Sequence, residues 1–272
     1  MNKENILFCG EDPRMKWAGE LFRQNGHICR FYGKKGETAI PEDCSAVILP
    51  LPSFTSDGKV NRSGTLSSKE LFSSLKAGTK IFGGMFSESI IRDCLEYNLI
   101  ACDYGGREDF ALLNALPTAE AAVEMALWRL EKTLFGARAL IIGYGRIGKL
   151  LSRRLLSFGA DVTVFARRIE ILTEAQLDGC TAINTEQGLK KSISHDICFN
   201  TVPAKIIGKA SVENSSCEHF IELASIPGGF TEEAIKILGE KYLIARGLPG
   251  KYFPRTAGEI IYKTVSKMLL ES

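Results

Sequence analysis

At 272 residues the chain is long enough for two domains of ordinary size, and its 45% apolar and 24% charged residues are those of a soluble globular protein. A net charge of +2, with Lys and Arg scattered rather than blocked, gives no reason to expect nucleic acid as a partner. No run approaches the ~18 apolar residues needed to span a bilayer, so no membrane role is expected.

The opening Met1-Asn2-Lys3-Glu4-Asn5 carries an acid and leads into a strand, which is not the pattern of a signal peptide. Ile6 to Cys9 reads as that strand, Met15 to Gln24 as a helix, and His27 to Tyr32 as the next strand. Ala46 to Leu49 is another strand, Ser67 to Lys76 a helix, and Lys80 to Phe82 a strand. A helix over Ser87 to Tyr97 and a strand over Leu99 to Asp103 complete the series. Strands alternating with helices imply a parallel sheet covered on both faces. The segment Pro50-Leu51-Pro52-Ser53-Phe54-Thr55 leaves the carboxyl end of a strand, where open α/β sheets hold ligands, and runs into a polar loop from Ser56 to Gly64.

Asn114-Ala115-Leu116-Pro117-Thr118-Ala119-Glu120 then opens a long helix through Lys132, capped by Thr118 or by the residues just ahead of Pro117. This helix can bridge two domains. The expected division is 1–116 as an N-terminal domain, 117–134 as the bridge and 135–256 as a second α/β domain. Ala257 to Leu270 should form an amphipathic helix that packs back on the first domain through Ile260, Ile261, Val265, Met268 and Leu269. The fold class is therefore α/β, with two doubly wound parallel sheets: a flavodoxin-like first domain and a Rossmann second domain.

The second domain carries the most informative motif. Gly143-Tyr144-Gly145-Arg146-Ile147-Gly148 follows the apolar run Ala139 to Ile142 and precedes a helix-like stretch from Lys149 to Phe158. Strand, glycine turn and helix are the context in which G-x-G-x-x-G means a dinucleotide site. Gly143 allows the turn, Gly145 lets backbone approach a pyrophosphate, and Gly148 lets helix and strand pack closely. The helix N-terminus, at Arg146 and Ile147, offers N–H groups to phosphate. Asp161 to Ala166 reads as the second strand, followed by Arg167-Arg168 with no acid until Glu170. Two guanidiniums where an NAD site places a carboxylate favour a 2′-phosphate, hence NADP. The bland alternatives are a glycine turn without ligand and a solvated arginine pair.

Later strands are expected at Ile197 to Thr201, His219 to Leu223 and Tyr242 to Ala245. The turns at their carboxyl ends are Thr201-Val202-Pro203, Ala224-Ser225-Ile226-Pro227-Gly228-Gly229 and Gly247-Leu248-Pro249-Gly250-Lys251. They should lie on the cofactor side, with Thr201 and Pro203 against the nucleotide and Ser225, Lys251 and Thr256 near an anionic substrate. Arg107, in Arg107-Glu108-Asp109, is a natural carboxylate clamp or a surface ion-pair partner. His27, His195 and His219 each sit at or before the start of a strand, away from ligands, which disfavours alcohol oxidation by a His base. The eight cysteines stand singly, with no C-x-x-C and no His at ligand spacing, so reduced buried thiols are expected and no metal.

Taken together, these segments resemble the A subunits of dipicolinate synthases nearly end to end. The resemblance rests on Leu49-Pro50-Leu51-Pro52-Ser53, Arg107-Glu108-Asp109, Asn114 to Glu120, the glycine fingerprint with Lys149, and Phe165-Ala166-Arg167. It also rests on Glu222-Leu223-Ala224-Ser225-Ile226-Pro227-Gly228-Gly229, Leu248-Pro249-Gly250-Lys251 and Pro254-Arg255-Thr256-Ala257-Gly258. Two positions depart from the family: Ala121, where Gly is usual, and Ile226, where Arg is common. The resemblance implies an architecture like that of the D-2-hydroxyacid dehydrogenases. It also implies NADP-linked oxidation of a dihydrodipicolinate-type ring, performed with a flavoprotein-like B subunit in the cytoplasm of a sporulating mother cell. The substrate would be a small dicarboxylate, and self-association is expected. The competing readings are an NADP-dependent 2-hydroxyacid dehydrogenase and a non-catalytic nucleotide-sensing subunit.

Overall fold

The computed structural model describes residues 3–33 and 39–271; Met1 and Asn2, read above as the lead into the first strand, lie outside the described residues. The chain forms two compact units, Met1–Asn114 with Pro249–Ser272, and Ala115–Leu248.

In the first unit β1 (Asn5–Cys9), α1 (Pro13–Gln24), β2 (Ile28–Tyr32), β3 (Ala46–Ile48), α2 (Ser68–Ser73), β4 (Lys80–Gly83), α3 (Glu88–Glu96) and β5 (Ile100–Asp103) follow in order. The strands are all parallel and lie in the order β2-β1-β3-β4-β5, the flavodoxin-like doubly wound arrangement. Alternate residues of each strand serve opposite cores. Ile6, Phe8, Ile48 and Phe82 join Phe22 and Phe110 on one face, while Leu7, Val47, Leu49 and Ile81 join Leu71, Phe72 and Ile90 on the other. Local signals start the helices: Asp12 caps α1 with Pro13 at its first position, Ser67 and Glu70 form a capping box on α2, and Ser87 caps α3. Each cap contributes about 1 kcal/mol.

The helix at the division, α4 (Glu108–Arg129), starts ten residues before Thr118, and Pro117 lies inside it. The start signal lies upstream of the one expected, in the acids Glu108 and Asp109, with Asp109 accepting from the Phe110 N–H. Proline removes one intrahelical bond there without ending the helix. By length and composition alone α4 could cross a bilayer, contrary to the reading of the sequence, but 56% of its apolar window is buried in the protein, as in a core helix.

The second unit holds β6 (Arg138–Ile142), α5 (Arg146–Ser157), β7 (Asp161–Ala166), α6 (Ile169–Leu177), β8 (Thr181–Asn184), α7 (Thr185–Leu189), β9 (Ile197–Asn200), α8 (Lys209–Val212), β10 (His219–Glu222), α9 (Glu232–Leu238) and β11 (Tyr242–Ile244). Its parallel order β11-β10-β9-β6-β7-β8 reads 6-5-4-1-2-3 within the unit, the Rossmann arrangement whose switch point lies between β6 and β9.

Finally α10 (Leu248–Tyr252) and α11 (Pro254–Glu271) bring the chain into the first unit. The return falls at Pro249 rather than at 257, because α10 runs on into α11: Phe253 N–H donates to the Pro249 carbonyl and Ala257 N–H to that of Phe253. Ile260, Ile261 and Val265 of α11 are buried in the β1 core, with Met268 and Leu269 packed against it, as expected.

Candidate functional site

The glycine turn after β6 has the geometry that its three glycines imply. Gly143 lies at φ +96°, and a Cβ there would stand 2.4 Å from Thr201 Oγ1. The Thr201 hydroxyl braces the turn by donating to the Ile142 carbonyl at 3.0 Å. A Cβ on Gly148 would stand 2.3 Å from the Gly143 carbonyl oxygen, so this glycine is fixed by close packing of helix on turn. Gly145 differs: its backbone is extended and a Cβ would meet nothing within 4 Å. No neighbour therefore requires glycine there, and the space beside it is open. No side chain caps the N-terminus of α5, leaving its dipole end for phosphate.

Tyr144, the second residue of the fingerprint, turns inward. Its hydroxyl donates to Asp178 Oδ2 at 2.6 Å, and Arg153 donates to the same oxygen at 3.0 Å. Burial first, then the Asp178 bond, pushes the Tyr144 phenol well above its ordinary range. The phosphate turn is thereby tied to the end of α6.

At the end of β7, Arg167 is exposed and its side chain makes no hydrogen bond or ion pair among the described residues, while its carbonyl accepts from Asn184 at 3.3 Å. Arg168 sits at the N-cap of α6 with Nη1 3.7 Å from Glu170. The acid that follows the pair is thus within reach of the second arginine only.

The carboxyl ends of β9 and β10 hold a buried network to which the reading of the sequence gave no role. Glu222 and Asn200 are both fully buried. The Glu222 carboxylate accepts from Asn200 Nδ2 at 2.7 Å, from the Ala224 N–H at 2.9 Å and from the Gly229 N–H at 2.7 Å. One carboxylate therefore pins both ends of the loop that carries Ser225, and a side chain on Gly229 would collide with Asn200 at 2.3 Å. Asn200 also donates to the Val202 carbonyl at 2.9 Å and fixes the turn to Pro203. The available signal was an acid closing the otherwise apolar run Phe220-Ile221.

The residues expected to hold substrate divide between the units. Ser225 is exposed in the loop after β10 of the second unit, while Arg107, Lys251 and Thr256 belong to the first. Lys251 lies on α10 rather than in a turn and is exposed. Of the two roles expected for Arg107, the ion-pair partner is the one the structure shows. Its Nε and Nη2 donate to Asp109, both at 2.9 Å, and its Nη1 donates to Glu271 at 2.8 Å. Two carboxylates already satisfy this guanidinium, and Asp109 is held well below the carboxylate range by Arg107 and then Lys267.

The histidines stand where expected. His219 opens β10 with its Nε2 2.8 Å from the Arg129 carbonyl, and His195 precedes β9. His27 precedes β2, and burial lowers the pKa of both His27 and His195. All eight cysteines are free thiols, and seven are buried.

Residues 110–218 match the family described as D-isomer specific 2-hydroxyacid dehydrogenase, NAD binding domain. The A subunit of dipicolinate synthase from Bacillus subtilis (strain 168) is 29% identical over 238 residues, 85% of this chain and 79% of that protein. The crystal structure of the dipicolinate synthase A subunit from Bacillus halodurans superimposes with a TM-score of 0.87 at 24% identity, covering 98% of this chain and 97% of that one. The corresponding crystal structure from Bacillus subtilis superimposes with a TM-score of 0.82 at 24% identity, covering 100% and 97%. The resemblance read from the sequence is borne out in the Bacillus subtilis relative, and the two structures share the fold.

Proposed function

We propose that this chain, similar to a dipicolinate synthase A subunit over 85% of its length, is the nucleotide-binding subunit of such a synthase. In this reading it oxidises a dihydrodipicolinate-type ring to pyridine-2,6-dicarboxylate with NADP. The observation that carries the reading is the turn after β6, where Gly143 and Gly148 are fixed by their own chain and Gly145 alone opens outward.

Bound NADP supplies a hydride acceptor. The chain's own residues bind and orient. Gly145 and the N–H groups of Arg146, Ile147 and Gly148 receive the pyrophosphate, and Thr201 and Pro203 border it. Arg167, with Arg168 beside it, receives the 2′-phosphate. Lys251 and Thr256 hold substrate oxygens, and Ser225 is kept in place by Glu222. Arg107 is assigned instead to joining α11 to the start of α4, since Glu271 and Asp109 take up its donors. Oxidation makes the ring aromatic, so the site needs alignment more than a strong base. The histidines, all at the amino ends of strands, accord with this.

The partner is a flavoprotein-like B subunit, with self-association of this chain as well, in the cytoplasm of a sporulating mother cell. The match to a 2-hydroxyacid dehydrogenase domain supports a second reading, NADP-dependent hydroxyacid oxidation. Against it, the segment Leu248 to Lys251 carries no histidine. Assays of NADPH formation with a dihydrodipicolinate supply and with 2-hydroxy acids, each with and without the B subunit, separate the two.

A further inference from the structure

Three segments far apart in sequence meet around one side chain at the carboxyl edge of the first unit's sheet. Arg14 lies in the first turn of α1, just after β1. Its Nε donates to Asp12 Oδ1 at 2.9 Å, and its Nη2 donates to Asp12 Oδ2 at 2.6 Å and to the Leu51 carbonyl at 2.7 Å. Gly250 closes another side, where a Cβ would stand 3.1 Å from Nε. Arg62 Nη1 approaches the same Asp12 carboxylate at 3.8 Å. The side chains of Arg14 and Asp12 are only 9% and 2% exposed.

Burying two charges costs several kcal/mol per ion unless their bonds are complete. Burial works against both charges here, but the bonds between the two outweigh it, holding Asp12 below and Arg14 above their ordinary ranges. The pair is therefore ionised, yet the guanidinium is not fully used. Nη1 makes no hydrogen bond among the described residues. Nη1 is not among the buried side-chain atoms without a partner in those residues, which are His27 Nε2, His195 Nδ1 and Ser266 Oγ. A cavity of about 480 Å³ nearby, lined by Glu11, Asp57, Lys59 and Arg62 among others, balances two acids with two bases and selects no charge.

We propose that Arg14 is the group that anchors a carboxylate of the substrate, through Nη1. This rests on the aromatic-dicarboxylate reading above. Asp12 and Leu51 fix the guanidinium before any ligand arrives, so little side-chain freedom is lost on binding. The same contacts hold the Leu49–Ser53 segment and place Lys251 next to the residue packed on Arg14. Those two motifs are thereby explained as parts of one carboxylate-binding edge.

The test is calorimetric titration of the full-length chain, with NADP bound, by pyridine-2,6-dicarboxylate and by succinate. Two variants are compared with the wild type. Arg14→Lys keeps a cation opposite Asp12, but one ammonium cannot serve Asp12, Leu51 and a ligand together. The Asp12→Asn/Arg14→Gln pair leaves no lone buried charge, so its folding does not depend on the ion pair. NADP affinity, which belongs to the other unit, reports that each variant is folded. Both variants are expected to bind pyridine-2,6-dicarboxylate about ten- to a hundredfold more weakly, with NADP affinity unchanged. Wild-type affinity in either folded variant overturns the assignment. If the wild type binds succinate through Arg14 but not the pyridine dicarboxylate, the anchor stands and the substrate reading falls. If it binds neither, both fall.

Discussion

Replacing Gly145 by Val separates the fold from the ligand in a single substitution. The backbone at Gly145 has φ −89° and ψ −157°, which any residue adopts, and a Cβ would meet nothing within 4 Å. The cost to the folded protein is that of a poorer N-cap, about 1 kcal/mol, or a fall in Tm of about 2–4 °C for a unit of this size. The valine methyl groups would, however, occupy the approach of the pyrophosphate. For the wild type, NADPH at about a hundred times its Kd adds about 2.7 kcal/mol, or roughly 5–10 °C in Tm. In Gly145→Val this increment should vanish. Gly143→Ala and Gly148→Ala should behave oppositely. Their new carbons would stand 2.4 Å from Thr201 Oγ1 and 2.3 Å from the Gly143 carbonyl, the first on a left-handed backbone. Those variants should lose stability by at least ~1–3 kcal/mol before ligand is considered. Differential scanning calorimetry with and without NADPH measures both quantities. A Gly145→Val protein that keeps the ligand-induced rise refutes the reasoning, as would Gly143→Ala and Gly148→Ala proteins no less stable than Gly145→Val.

Arg167→Asp should weaken NADPH binding far more than NADH binding, because it sets a carboxylate beside the 2′-phosphate; equal affinities of the wild type for both nucleotides would count against the NADP assignment. Lys251→Ala should lower turnover efficiency about ten- to a hundredfold with NADPH affinity nearly unchanged, measured by steady-state kinetics of the complex with the B subunit. Glu222→Gln turns one acceptor oxygen into a donor facing backbone N–H groups, and should cost about 1–3 kcal/mol in a denaturant titration while raising mobility of the Ser225 loop in hydrogen exchange. Asp196 is drawn from its ordinary 3.8 down to about 2, because the bonds from Lys132 and Arg138 outweigh its partial burial. Its contribution is thus complete above the unfolded value and lost as pH falls towards 2. Asp196→Asn should therefore show a smaller loss of stability than the wild type between pH ~4.5 and ~2.

Much of this architecture was legible because its signals are local and repeated. The runs Ile6 to Cys9 and Asp161 to Ala166, set between glycine turns and capped helices, identify parallel strands without any tertiary information. The glycine fingerprint between β6 and α5 was legible in the same way. Shorter elements were missed for physical reasons: β8, Thr181-Ala182-Ile183-Asn184, has one large apolar residue and is half-exposed along most of its length. Pro117 misled because proline is a helix-start signal, while the true start upstream is set by Glu108 and Asp109. Arg107 illustrates a deeper limit, since the acid that takes its second face, Glu271, lies 164 residues away. The buried roles of Arg14 and Glu222 depend on partners brought together by the fold, which no spacing along the chain records.

The central claim is tested most directly by incubating this chain with a dipicolinate synthase B subunit, NADP and a dihydrodipicolinate supply, following pyridine-2,6-dicarboxylate by mass spectrometry and NADPH by absorbance. The expected result is formation of both products in equal amounts, dependent on both proteins and abolished by Gly145→Val in this chain. No pyridine-2,6-dicarboxylate from the complete mixture, or NADPH formed only when a 2-hydroxy acid is supplied, would contradict it.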